Sequence, residues 1–103
     1  MIKTERLFDA DSYMQSFHAS VLSCEENKNG KYEIVLDKTA FFPEMGGQYA
    51  DTGALDGIRI SDAQIRDGVI YHISVAINTL SKKGCPLPVL YIALAFVAPV
   101  GVL

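Results

Sequence analysis

The sequence predicts an all-β fold, a small antiparallel β-barrel with a short helical turn near the N-terminus. Short runs rich in Val, Ile, Tyr and Phe are separated by tight-turn signals at Asn29-Gly30, Asp56-Gly57 and Asp67-Gly68. Such pairs supply the positive φ angles that tight hairpins need. No long amphipathic helix lies between the runs, which excludes a doubly wound α/β unit. Closure into a barrel is preferred over an open sheet because it removes unpaired edge strands.

Taken in order, Thr4 to Phe8 reads as a first short strand. Asp11 or Ser12 can cap a helical turn or two, with Tyr13 and Phe17 sharing a face at i,i+4. Ala19 to Glu25 is strand-like, and Asn27-Lys28-Asn29-Gly30 turns the chain into Lys31 to Asp37. There Tyr32, Ile34 and Leu36 face one way and Lys31, Glu33 and Asp37 the other, with Val35 out of pattern. The next stretch, Leu36 to Asp51, starts as a strand, breaks at Pro43 and opens into Gly46-Gly47. Ala54-Leu55, Ile58 to Ile65 and Val69 to Ile73 complete the expected strands.

With 103 residues the chain has room for one modest core. The expected division is a barrel over residues 1–74 and an apolar tail over 75–103. Nine basic against 12 acidic residues leave a formal charge of -3, so bulk electrostatics give no reason to expect a polyanion partner. All the acidic residues lie between Glu5 and Asp67, and Lys82 and Lys83 are the last charges. From Cys85 to Leu103, 19 residues carry no charge. That length is borderline for a membrane span, and Pro86, Pro88 and Pro99 interrupt it. A buried or partner-seeking tail, able to support an oligomer, is the preferred reading over a membrane-attached segment. Two cysteines are too few for a disulfide framework, and the N-terminus lacks an apolar signal core. A reduced, cytoplasmic setting follows as the expectation.

Metal and hydrolase signatures are weak. His18, His72, Cys24 and Cys85 stand singly, without the paired spacing that zinc sites use. No serine sits in a Gly-x-Ser-x-Gly elbow, and Glu25-Glu26 beside Cys24 disfavour a thiolate. No phosphate-binding glycine signature is present. What remains is recognition by polar groups around the glycine loop. Thr39 offers a donor and an acceptor, Gln48 offers an amide, Phe41 and Phe42 wall off one side, and Gly46-Gly47 permit close approach. The structural alternative is that Thr39 is a surface β-former and Gln48 merely closes a turn.

The run Leu36-Asp37-Lys38-Thr39-Ala40-Phe41-Phe42-Pro43-Glu44-Met45-Gly46-Gly47-Gln48, followed by Asp51-Thr52-Gly53, resembles the start of the editing module of alanyl-tRNA synthetases and of free-standing alanyl-tRNA editing proteins. Asp11-Ser12-Tyr13-Met14 with Phe17, and Gly68-Val69-Ile70-Tyr71-His72, extend the resemblance to about three quarters of the chain. The resemblance implies a small barrel like the second domain of translation elongation factors, packed against a zinc-bearing α/β half. It implies hydrolysis of alanine tRNA mischarged with serine or glycine. It also places Thr39 and Gln48 in the substrate pocket, facing the zinc centre of the other half; on our reading of the residues Phe41, Gly46 and Gly47 belong to the same pocket, Phe41 excluding water and the glycines permitting close approach. The departures are Met45 where the family usually has a glycine, Tyr49 where it often has proline, and no His-x-x-x-His downstream. No cofactor is expected in this chain itself. Zinc belongs to the other half, and hydrolysis by this chain alone is not expected. The alternative function is a non-catalytic binding or adaptor barrel.

Overall fold

The computed structural model describes residues 3–10, 15–75 and 87–98. Eight strands and one short helix follow in order: β1 (Glu5–Arg6), α1 (Leu7–Ala10), β2 (Ser16–Glu26), β3 (Lys31–Leu36), β4 (Lys38–Thr39), β5 (Thr52–Leu55), β6 (Ile58–Arg66), β7 (Val69–Val75) and β8 (Ile92–Ala98). Six of them close into a barrel in the order β2-β3-β7-β6-β5-β8, while β1 and β4 form a two-stranded parallel pair beside it. Every barrel pairing is antiparallel. The expected all-β barrel is therefore the observed fold.

Local turn chemistry sets the hairpins. Asn27 accepts from the backbone N–H of Asn29 and Lys31 through its side-chain oxygen, and Gly30 takes a φ of 75°. Asp56-Gly57 and Asp67-Gly68 both carry positive φ at the two central positions, the signature of type I′ turns, whose twist matches that of the flanking strands. Bulges between Val21 and Ser23 and between Ile60 and Asp62 bend the two longest strands. Such bends let a six-membered sheet curl onto itself.

The interior is filled by alternate residues of each strand, among them Phe17, Ala19 and Val21 of β2, Ile34 and Leu36 of β3, and Ile60 and Ala63 of β6. Leu55, Ile70, Ala93, Ala95 and Val97 complete the wall around Phe41, which is fully buried. The rings of Phe17 and Phe41 meet edge to face at 6.0 Å. Each of the buried Phe, Ile, Leu and Val side chains contributes roughly 1.5–3 kcal/mol by its removal from water.

Two expectations are corrected near the N-terminus. Leu7 to Ala10 is helical rather than the end of a strand, with Phe8 turned onto Phe42 at 5.1 Å between ring centroids. Phe17, expected on a helical turn, lies in β2 because the two-residue period of Phe17, Ala19 and Val21 already runs through it. Asp11, Ser12, Tyr13 and Met14 lie outside the described residues.

The larger correction concerns the C-terminal segment. Residues 92–98 are not a tail beyond the barrel; they form β8, which pairs with β2 on one side and β5 on the other and closes it. Small inward residues explain why a continuous apolar run can do this. Ala93 and Ala95 fit the filled interior, and Ile92 and Phe96 point outward. Gly53 on β5 permits the approach, since a Cβ there would stand 1.9 Å from the Phe96 carbonyl oxygen. Of the other expected tail residues, Val75 ends β7, residues 87–91 lead into β8, and residues 76–86 and 99–103 lie outside the described residues. Among the described residues no helix is long and apolar enough to cross a membrane. Cys24, read from the sequence as a small reduced thiol, is disulfide-bonded.

Candidate functional site

The glycine loop springs from β4 and returns at β5, and its neck is tied by one residue. The Phe42 N–H donates to Asp51 Oδ2 at 3.0 Å, and the Asp51 N–H donates to the Phe42 carbonyl at 2.9 Å. A second tie runs sideways to β6: the Glu44 N–H donates to the Ala63 carbonyl at 2.8 Å, and the Gln64 side-chain amide donates to Glu44 Oε1 and Asp62 Oδ2. At the tip the Gln48 N–H donates to the Met45 carbonyl at 3.1 Å, pairing Met45 with Gln48 in an antiparallel bridge. Gly46 and Gly47 between them have φ of 60° and 83°. Positive φ at both central positions is again that of a type I′ turn, favourable for glycine and strained for most other residues.

This geometry presents Gly46, Gly47 and Gln48 to solvent, with Tyr49 beside them at 68% exposure. Nothing lies within 4 Å of where a Cβ would project from either glycine. The tip is thus a short, pinned projection carrying a bare backbone, an amide and an aromatic ring. Such a set can approach a partner's backbone closely, hydrogen-bond it in either sense and stack on a flat group.

Thr39 and Phe41 lie elsewhere. Both are fully buried in the barrel interior, so the structure does not bring Thr39 and Gln48 onto one accessible surface. The Thr39 hydroxyl is committed on two sides. It accepts from the Phe41 N–H at 3.0 Å and sits 2.8 Å from His72 Nε2. His72 Nδ1 lies 2.8 Å from the Ile34 carbonyl oxygen. A carbonyl only accepts, so the network assigns the proton to Nδ1 and leaves Nε2 as the acceptor of the Thr39 hydroxyl hydrogen. The chain of donors therefore runs from the Phe41 N–H to Thr39, from Thr39 to His72, and from His72 to Ile34.

His72 is completely buried, with its ring edge-to-face against Phe41 at 5.3 Å. Burial without a counter-charge pulls its pKa down to about 4, and the Ile34 carbonyl opposes the shift only in part. The imidazole is neutral at pH 7 and holds the Thr39–Phe41 segment, at the end of β4, from which the loop emerges. From the sequence alone His72 has no role beyond a histidine standing singly. The alternation of Ile70 and His72 along β7 is the signal that places it inside. Asp51 and Glu44 were not singled out as the loop's anchors, and no local pattern marks them.

The zinc that the resemblance implies belongs to the other half, and the described residues offer it no ligand set. Among the described residues no group of three His, Cys, Asp or Glu side chains is placed to hold a metal ion. Both nitrogens of His72 are engaged, and His18 is exposed on β2. No chemical step is assigned to a metal held here.

Residues 5–86 match the family profile described as tRNA synthetases class II (A). An alanine–tRNA ligase of Halobacterium salinarum is 44% identical over 78 residues, covering 68% of this chain and 8% of the relative. One of Haloquadratum walsbyi is 46% identical over 74 residues, with the same coverage. The alanyl-tRNA editing protein AlaX-L of Pyrococcus horikoshii is 33% identical over 84 residues, covering 78% of this chain and 20% of the relative. The chain thus spans a small part of the length of these relatives, and β8 lies beyond the family match.

Proposed function

From the premise that this chain belongs to the class II (A) tRNA synthetase family, we propose that it is the barrel part of an alanyl-tRNA editing module. The activity is removal of serine or glycine from mischarged alanine tRNA, with the zinc chemistry supplied by another domain or chain. The supporting observation is the pinned, solvent-facing tip at Gly46, Gly47 and Gln48, formed by the residues that carry the family motif. Gln48 reads the aminoacyl end by its amide, and the two glycines let the terminal adenosine approach the backbone. Thr39 and Phe41 act from beneath, through the buried network that fixes the base of the loop, rather than by touching the substrate in this chain alone. The cytoplasm, where charged tRNA is used, is the compartment this reading implies.

The test mixes the full chain with the zinc-bearing half of a relative and follows deacylation of serine-charged alanine tRNA. A Gln48→Ala change removes one hydrogen bond and reduces the rate by about tenfold, equivalent to about 1.4 kcal/mol. Unchanged rate and unchanged preference for serine over alanine remove Gln48 from recognition.

A second reading, a non-catalytic tRNA-binding or adaptor barrel, is supported by β8. A strand from outside the family match seals the barrel within this chain. Binding of tRNA by the full chain, with no deacylation on addition of the zinc-bearing half, selects it.

A further inference from the structure

We propose that Tyr49 is a stacking platform for an unpaired nucleobase, the terminal base of a single-stranded RNA end presented to the glycine loop. The proposal rests on the editing reading above, which supplies the ligand, and deepens it by naming the part of the tRNA that the tip holds. Tyr49 is 68% exposed, whereas the next residue, Ala50, is 6% exposed. On the other side Gln48 is held in its bridge to Met45, and two residues beyond Tyr49 the Asp51 side chain ties the neck to Phe42. The ring is thus carried on a backbone fixed before and behind it, so little freedom remains to be lost on binding. Phe8, Phe17, Phe41, Phe42 and Tyr71 each meet another ring or a guanidinium, but among the described residues the faces of Tyr49 meet neither.

The charges around the tip decide which part of a nucleotide it takes. From Thr39 to Ile58 there is no Lys, Arg or His, and the charged groups are Glu44, Asp51 and Asp56. The Gln64 amide, which donates to both Glu44 and Asp62, brings a further carboxylate to the same side. Arg66, further along β6, is paired with Glu33 at 3.1 Å. Such a setting repels a phosphate and is indifferent to an uncharged flat base. Stacking on an aromatic face holds unpaired bases without a cation, and it tolerates any base because each has a π-face.

Neighbouring side chains divide one nucleotide between them. The Cα atoms of Gln48 and Tyr49 are about 3.8 Å apart, so the amide that reads the aminoacyl group and the ring that holds the base act on the same terminal residue. Nothing lies within 4 Å of a Cβ projected from Gly46 or Gly47, which leaves room for the sugar against bare backbone. Tyr49 stands where the resembling family often has proline, which offers no π-face. The platform is therefore a property of this chain and not of the shared motif.

The chain has no tryptophan, so Tyr49→Trp in the full chain supplies a single fluorescent reporter at the tip. The probe is a short single-stranded RNA ending in adenosine, compared with the same RNA lacking only its terminal base. The expected result is quenching by the first and none by the second. Wild type and Tyr49→Phe bind the first RNA equally, whereas Tyr49→Ala binds it about tenfold more weakly with its barrel circular dichroism intact. That factor is the same at about 50 and about 200 mM salt, because stacking engages no phosphate. No quenching at RNA concentrations up to about 1 mM, equal quenching by the base-free RNA, or undiminished affinity in Tyr49→Ala overturns the proposal. The editing reading is judged apart from it, by adding the zinc-bearing half and serine-charged tRNA. Base-dependent quenching without deacylation removes the editing reading and leaves the platform. Deacylation that depends on Gln48, with a KM unmoved by Tyr49→Ala, removes the platform and leaves the editing reading.

Discussion

His72 makes the barrel acid-sensitive between pH 6.5 and about 4. The group titrates at 6.5 in an unfolded chain and near 4 in the fold, because burial disfavours the imidazolium. Between those values the unfolded state binds the extra proton, so stability is complete above pH 6.5 and is lost as pH falls towards 4. For these two values the loss between pH 7 and pH 5 is about 2 kcal/mol. That lowers the melting temperature of a domain this size by roughly 10 °C. Glu33 acts in the same direction only at lower pH, since hydrogen bonds from Arg66 hold its carboxyl below the usual 4.5. The assay is urea unfolding at pH 7 and pH 5, for wild type and for His72→Gln. The variant is less stable at pH 7, because the Thr39 and Ile34 groups lose their partner, yet its midpoint changes little between the two pH values. An unchanged wild-type midpoint, or a pH dependence that survives in His72→Gln, refutes the neutral buried imidazole.

Other perturbations separate the roles of the loop and the seam. Gly53→Ala drives a Cβ into the Phe96 carbonyl and should cost several kcal/mol, roughly 3 or more by the strain of overpacking, read as loss of the cooperative thermal transition. Gly47→Ala meets no neighbour but has the wrong sign of φ, so about 1 kcal/mol is expected with the barrel spectrum intact. Asp51→Ala removes the side-chain half of the neck; about 1–2 kcal/mol is expected, with faster hydrogen exchange at Phe42. Thr39→Val leaves His72 Nε2 and the Phe41 N–H without their partner, lowering stability by about 1–3 kcal/mol, whereas Thr39→Ser restores most of it.

The hairpins were legible because their information is local. Asn-Gly and Asp-Gly pairs dictate backbone sign within two residues, and the runs between them alternate with the period of a strand. Even the glycine tip was visible as a place where φ must be positive. What the chain order hid were relations across the barrel. Thr39 looks like an accessible hydroxyl until β7 brings His72 against it, 33 residues away. A polar β-former beside a glycine loop reads the same whether it faces water or the interior. β8 was hidden for the opposite reason. Its inward residues are alanines and a valine while its outward residues are larger, so hydrophobicity shows no alternation. Only residue size distinguishes the two faces, and size acquires meaning once Phe17 and Phe41 fill the space behind them. The ties of Asp51 and Glu44 likewise depend on partners brought together by the loop's own path.

The closing strand also has a consequence for how the molecule assembles. β2–β3, β5–β6 and β6–β7 are neighbours along the chain, and β3–β7 and β5–β8 pair across similar intermediate separations, whereas β8 must also find β2, the most distant partner of all. Loop-closure entropy makes the union with β2, near the other end of the described chain, the costliest contact to form early. Until it forms, two unsatisfied strand margins face solvent, each a template on which another polypeptide can crystallise into sheet. The barrel is therefore most exposed to aggregation in the interval before its last seam shuts, and changes that weaken that seam shorten the lifetime of the folded state more than they slow its formation.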